Sequence, residues 1–358
     1  ALTMIGSATA FAAEPVDNSA IAEKALSEVT ALYEDLYTIT NAEAEVQNST
    51  YDDMGNIIVD VVVSFDRTLK ATCAEDMPYI QGLEIALTEL TDPDEISAAS
   101  AYIDAKKADL EDNYIGVAQD TYIELQVTVP IATARSNAAQ AIGIDNIEYV
   151  GMNENVPAKE LAPDSNQAMM ESGQAAILNI TERMATPSTR ASTNSVIKNY
   201  DRVRARDYAR DWSCTNGSLY DHATCHNPEY TFYASNDCTN FVSQCLVYGG
   251  LPTDSKWKPY TEPWKTTGNA GNGIRQYLTN NGLFFHSTNE KEAFAGSIIN
   301  WLNSDGTNAG HVGLVDQNDT ATMTFCAHTR CRRSCPWTGE KVDFYIPYWD
   351  SYEGDWTK

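Results

Sequence analysis

Basic charge is what this 358-residue chain has least of: 24 Lys and Arg stand against 50 Asp and Glu, a net charge of −26. Such acidity argues against binding nucleic acid or adhering to anionic membranes, because like charges repel. Long apolar runs are missing as well. Nowhere does the chain approach the roughly twenty consecutive apolar residues of a membrane span. Cysteine is scarce in the first part, where Cys73 stands alone before position 190, and seven more follow beyond it. The charge is skewed in the same way. Residues 1–190 hold 32 acidic against 9 basic side chains, a net of −23, and residues 191–358 hold 18 against 15, a net of −3. A chain of this length can bury two cores, and the asymmetry reads as two domains of different origin. The acid itself reads as solvated faces rather than as a partner signal.

The start, Ala1 to Ala12, is small and apolar and ends in Ala10-Phe11-Ala12, which reads as the remnant of a signal peptide over residues 1–12. Secretion and an oxidising compartment for the cysteines follow as expectations. Ile21, Ala25, Val29, Leu32 and Leu36 share one face of a helix predicted over 20–37. Ile57–Phe65 and Tyr122–Ile131 are β-branched and read as strands, and residues 77–112 read as two helices broken near Asp92-Pro93. That order predicts an acidic α+β domain over 20–160, with no titratable cluster that looks catalytic. A helix and a Pro/Ser/Thr linker fill 161–194, and a second domain occupies 195–358.

The chemistry lies in that second domain. Asn236-Asp237-Cys238-Thr239-Asn240-Phe241-Val242-Ser243-Gln244 starts an amphipathic helix with Asp237 or Asn236 as its cap, and Gly249-Gly250 ends it. A cysteine in a first turn meets free N–H groups and the positive end of the helix dipole, which lowers its pKa, with help from a protonated imidazole. That imidazole is expected from Gly310-His311-Val312-Gly313-Leu314-Val315, a buried strand. A hairpin back through Thr322–Ala327 places His328 opposite His311, to within a residue or two. The result is a Cys238–His311–His328 relay, with Asp316 and Asn318 in reserve for the third position, and His328 as a plain surface residue the competing reading.

These same blocks, with Ala327-His328-Thr329 and the upstream Tyr200-Asp201-Arg202 and Tyr208-Ala209, resemble the family known as the Putative amidase domain of secreted bacterial proteins, over roughly 195–350. That family is related to the NlpC/P60 and CHAP hydrolases and more distantly to papain. The resemblance implies a papain-like C-terminal domain, a nucleophile helix packed on an antiparallel sheet, with Cys238 as nucleophile and His311 as base. A histidine in the third place is common among NlpC/P60 relatives, which favours His328. The chain departs from the pattern at Gly296-Ser297, where such domains usually carry Gly-Asp.

The remaining cysteines suggest a Cys214–Cys225 disulfide and one more among Cys326, Cys331 and Cys335, the pair left open. Cys214, His222, Cys225 and His226 match no standard zinc spacing, so no metal or cofactor is expected. Asp237, Trp264 and Trp301 are candidate substrate contacts on the walls of a cleft, and Arg330, Arg332 and Arg333 form a local basic spot. The function expected is a secreted or wall-associated cysteine hydrolase of an amide bond, with peptidoglycan peptides as substrate. A cysteine peptidase acting on proteins and an inactive papain-like binding module are the alternatives. Neither nucleic acid nor membrane insertion is expected.

Overall fold

The computed structural model describes residues 17–130, 138–185, 200–215, 225–234, 236–261, 264, 273–303, 309–338 and 340–347. The expected signal remnant, the 186–194 linker and His222 lie outside them. Helix α1 (Asn18–Ala31) begins where the Asp17 carboxylate accepts from the N–H groups of Ser19 and Ala20. It is followed by the long antiparallel hairpin β1 (Tyr37–Tyr51) and β2 (Ile57–Leu69). Helices α2 (Pro78–Leu87) and α3 (Pro93–Asn113) come next, the second capped by Asp92 with Pro93 in its first turn. Strands β3 (Gln119–Val129), β4 (Ile147–Val150) and β5 (Asn155–Pro157) complete a five-stranded sheet in the order β1-β2-β3-β4-β5. Helix α4 (Asn166–Ala185) is not a free connector. It crosses α2 so closely that a Cβ on Gly82 would lie 2.0 Å from the Met170 carbonyl oxygen, and one on Gly173 would lie 2.2 Å from that of Tyr79.

The second half opens with α5 (Arg202–Asp211), capped by Asp201, then α6 (Cys238–Tyr248) and α7 (Ile274–Asn280). Strands β6 (Phe284–Ser287), β7 (Ile298–Leu302), β8 (Ala309–Asn318), β9 (Met323–Ala327), β10 (Arg332–Pro336) and β11 (Val342–Pro347) form a sheet in the order β10-β9-β8-β7-β11-β6. Every strand pair in both sheets is antiparallel, so the chain is α+β.

Alternation along these strands decides what each side chain meets. Ile298, Val312, Leu314 and Cys326 point to one face, where they pack with Phe241, Val242 and Leu246 of α6 and Ala205, Tyr208 and Ala209 of α5. Ile299, Trp301, Val315, Phe325 and Phe344 point to the other and share one continuous core with Ile21, Val59, Leu83, Tyr102 and Ile123 of the first half. The six-stranded sheet is therefore covered on both faces, by its own helices and by the first half of the chain.

Polar contacts seal the second face. Arg202 and Asp109, each almost fully buried, pair at 2.5 Å. Arg67 donates to Gln317 Oε1 at 2.9 Å, Tyr37 to Asp319 Oδ2 at 2.9 Å and Tyr149 to the Pro336 carbonyl at 2.6 Å. The expected basic spot belongs here too: Arg332 is buried against Glu124, and Arg330 donates to the Gly151 carbonyl at 2.7 Å.

Candidate active site

Cys238 opens α6, as the sequence predicts, but the helix is not amphipathic: every residue from Cys238 to Leu246 is buried. Its polar side chains are tolerated because each has a partner. Asn240 donates to the Thr231 carbonyl (2.9 Å) and Asp237 Oδ1 (2.8 Å) and accepts from Trp264 Nε1 (2.7 Å). Ser243 accepts from Trp257 Nε1 at 3.3 Å, and Gln244 accepts from the Tyr208 hydroxyl at 2.9 Å. The polar half of the Asp-Cys-Thr-Asn-Phe-Val-Ser-Gln motif thus anchors the loops around the helix.

Asp237 takes the N-cap position of α6, as expected, but its side chain makes no capping hydrogen bond. Its backbone is already helical (φ −98°, ψ −4°), so its carboxylate cannot fold back onto the first turn. Oδ1 instead accepts from the Tyr233 N–H at 3.0 Å, Oδ2 lies 2.7 Å from His328 Nδ1, and its own N–H donates to Thr329 Oγ1 at 2.9 Å. The helix N–H groups are left to the cysteine, and the Thr239 hydroxyl, 3.9 Å from the sulfur, with the backbone N–H groups of Val312 and Thr239 favours its thiolate. Those donors do not prevail. The residue is 2 % exposed, and burial, with the Asp237 charge adding to it, pushes the thiol up. The expected lowering is therefore corrected: in this arrangement Cys238 is a protonated thiol.

His328 is the imidazole on the same side. Its ring stacks on Phe241 at 3.9 Å between centroids and 16° between planes, and its Nε2 lies 2.5 Å from the Trp212 carbonyl oxygen. With Nδ1 on Asp237 and Nε2 on Trp212, both ring nitrogens are committed, so His328 is not the orienter of His311 in this geometry. It is also no surface residue, being almost fully buried.

His311 lies on the opposite face of β8. It pairs with Trp301 across the ladder, its ring centroid 5.3 Å from that indole, while its neighbour Val312 faces α6. Its Nε2 is buried without a hydrogen-bond partner. Burial, reinforced by the nearby charges of Arg332, His328 and Arg330, pushes it down to about 3, so the ring is neutral. The register explains the separation. Val312 and Leu314 face α6, so alternation turns His311 the other way, and the Leu314–Cys326 pairing carries His328 opposite Val312 rather than His311. The structure thus holds Asp237, the residue before Cys238, against His328 and leaves His311 behind the strand. The reserve candidates are committed elsewhere, Asp316 to Arg210 at 2.5 Å and Asn318 to the carbonyls of Glu290 (2.6 Å) and Ala293 (2.9 Å).

The proposed cleft walls are corrected as well. Trp264 and Trp301 are fully buried, the second with Nε1 donating to Glu340 Oε2 at 2.7 Å, so both are core. Tyr230, stacked on Trp264 at 6.2 Å, Phe232, Tyr233 and Tyr260, 62 % exposed, are among the aromatics that reach solvent beside the Cys238 loop. A cavity of about 230 Å³ lies elsewhere, between Tyr33, Lys291, Asn318 and Trp337, and none of its lining residues belongs to this site. Cys214 and Cys225 form the expected disulfide, whereas Cys326, Cys331 and Cys335 all remain thiols, contrary to expectation.

Residues 199–348 match the family described as "Putative amidase domain". Two uncharacterized proteins of Bacillus subtilis (strain 168) are similar to parts of the chain. YjcM is 33% identical over 90 residues, 25% of this chain and 19% of that protein. YhbB is 27% identical over 159 residues, 41% of this chain and 47% of that protein. The chain therefore spans less than half the length of these curated relatives. No solved structure matches it significantly. Among the described residues, no helix is long and apolar enough to cross a membrane.

Proposed function

We propose that this protein hydrolyses an amide bond with Cys238 as the nucleophile, within a papain-like domain. One observation carries the reading: a cysteine opens a buried helix, and the residue before it holds its carboxylate 2.7 Å from the His328 imidazole. In the proposed reaction an imidazole takes the Cys238 proton, the thiolate attacks the carbonyl carbon, and the amine leaves with a proton. Water then hydrolyses the thioester. The backbone donors near the sulfur suit the developing oxyanion, and one such donor is worth roughly 2.7–4 kcal/mol. His328, oriented by Asp237, serves as base if its Nε2 leaves the Trp212 carbonyl. His311, the base the family resemblance implies, serves only if β8 shifts its register by one residue and turns the ring to the α6 face. Either route makes the present arrangement a resting one. Secretion and cell-wall peptides as substrate remain part of this proposal, supported by the sequence of residues 1–12 and the likeness to the amidase domain.

The test is to digest peptidoglycan and a casein-like protein side by side and identify new amine ends by mass spectrometry. Cleavage of wall peptides that disappears in Cys238→Ala supports the proposal, and cleavage that survives the substitution sinks it. A second reading, a papain-like shell used only for binding, draws on the buried, protonated thiol. An iodoacetamide rate at Cys238 no faster than that of free cysteine, with no digestion of either substrate, selects it.

A further inference from the structure

The sulfurs of Cys214, Cys225 and Cys331 all lie within 4.8 Å of one another, in a small buried cluster of their own. Cys214 and Cys225 are bridged, with Cα atoms 5.8 Å apart, and Cys331 is a thiol whose sulfur accepts the Cys214 N–H at 2.9 Å. Two cysteines suffice for a structural bridge, and the third puts a thiol sulfur within 4.8 Å of both bridged ones. We propose that these three residues form a thiol–disulfide exchange site, holding one disulfide that moves from Cys214–Cys225 to Cys214–Cys331.

The step needs no external oxidant. Cys331 gives its proton to solvent, its thiolate attacks the Cys214 sulfur, the Cys214–Cys331 bond forms as the Cys214–Cys225 bond breaks, and the departing Cys225 thiolate takes up a proton. One disulfide and one thiol stand on each side of the equation. The Cys214 N–H and the neighbouring Arg332 charge favour the attacking thiolate, while burial opposes it and pushes Cys331 up to about 12. Exchange is therefore slow near neutrality and quickens about tenfold per pH unit as the thiolate fraction rises.

The position gives the exchange a consequence. Cys214 follows Trp212, whose carbonyl meets His328 Nε2, and Cys331 follows His328 and Thr329, which both touch Asp237. A bond between Cys214 and Cys331 would tie together the two segments that bracket the Asp237–His328 pair. The exchange itself stands on the sulfur positions and does not depend on the proposed hydrolase reading.

The experiment uses the full chain. It is incubated at pH 7 and pH 9 without added thiol, quenched in acid and alkylated, and its disulfides are mapped by mass spectrometry at two protein concentrations. The expected result is a Cys214–Cys331 population with alkylated Cys225, appearing faster at pH 9 and at a rate independent of protein concentration. A tenfold preference for the starting pair would still leave about a tenth of the chains exchanged. In Cys225→Ser, a glutathione redox buffer should yield a Cys214–Cys331 disulfide, and Cys335→Ser, outside the cluster, should leave the wild-type map unchanged. Within the cluster, alkylation of Cys331 alone in the wild type at both pH values would overturn the proposal. So would isolation with all three cysteines reduced and one equivalent of zinc bound.

Discussion

The two faces of the six-stranded sheet are built differently. Against α6 every buried polar side chain of the cysteine motif has a partner, down to both nitrogens of His328. Against the first half of the chain, the contacts that close the interface are long-range and charged, and His311 keeps an unpartnered Nε2. The lesson is that the groups expected to react are divided by a β-strand. Outside the motif the helix face still buries the unpartnered amide of Asn300, and the other face buries the unpartnered Nε2 of His311.

The sharpest way to break this comparison is to remove the sulfur. Cys238→Ala should lower any amide hydrolysis by on the order of 10⁴-fold or more, measured as the initial rate of amine release, while costing only about 1 kcal/mol of stability in urea melts. Next comes the seal on the other face. Asp109→Ala strands the Arg202 guanidinium in the core and should cost about 3–5 kcal/mol, whereas Asp109→Leu with Arg202→Met should recover most of it. If urea unfolding of Asp109→Ala matches that of the parent, the two halves are not held by this pair.

The two histidines should then diverge. His328→Phe leaves Asp237 and the Trp212 carbonyl without the imidazole and should cost about 1–3 kcal/mol at neutral pH. His311→Leu should be nearly neutral there and should differ only in acid. Because His311 is held at about 3 against an ordinary 6.5, the unfolded chain takes the proton first, and stability falls as pH drops from 6.5 toward 3. His311→Leu should flatten that part of the profile, and an unchanged slope would show the ring to be solvated. A change of similar size on the alkaline side should come from Lys106, which donates to the Ala293 carbonyl at 2.6 Å and is pushed down to about 7 by burial. Its unfolded form holds the proton up to about 10.5, so stability rises between pH 7 and 10.5, and Lys106→Met should remove that rise.

Much of the framework was legible in the residues. The start and stop of α6, the break between α2 and α3 at Asp92-Pro93, the cores of β2, β3, β8 and β9, and the Cys214–Cys225 pair all follow from local pattern or spacing. β1 was not legible: its fifteen residues are polar and largely exposed, and its N-terminal end was absorbed into a helix expected to run to 37. α1 stops at Ala31 instead. The face of His311 was hidden for a different reason. In a strand one residue of register moves a side chain through the sheet, and nothing in the alternation of Val312 and Leu314 with His311 and Gly313 marks which side the helix covers. The burial of Trp264 and Trp301 depends on Asn240 and Glu340, 24 and 39 positions away, partners that no periodicity discloses.

The shared core has a practical meaning for anyone isolating the amidase-like segment. A fragment beginning near residue 195 would uncover Trp301, Phe325 and Phe344 and strand Arg332 without Glu124. The segment a family match delimits is thus not a unit that keeps its own oil from water, and such a fragment should be recovered from inclusion bodies rather than from the lysate supernatant.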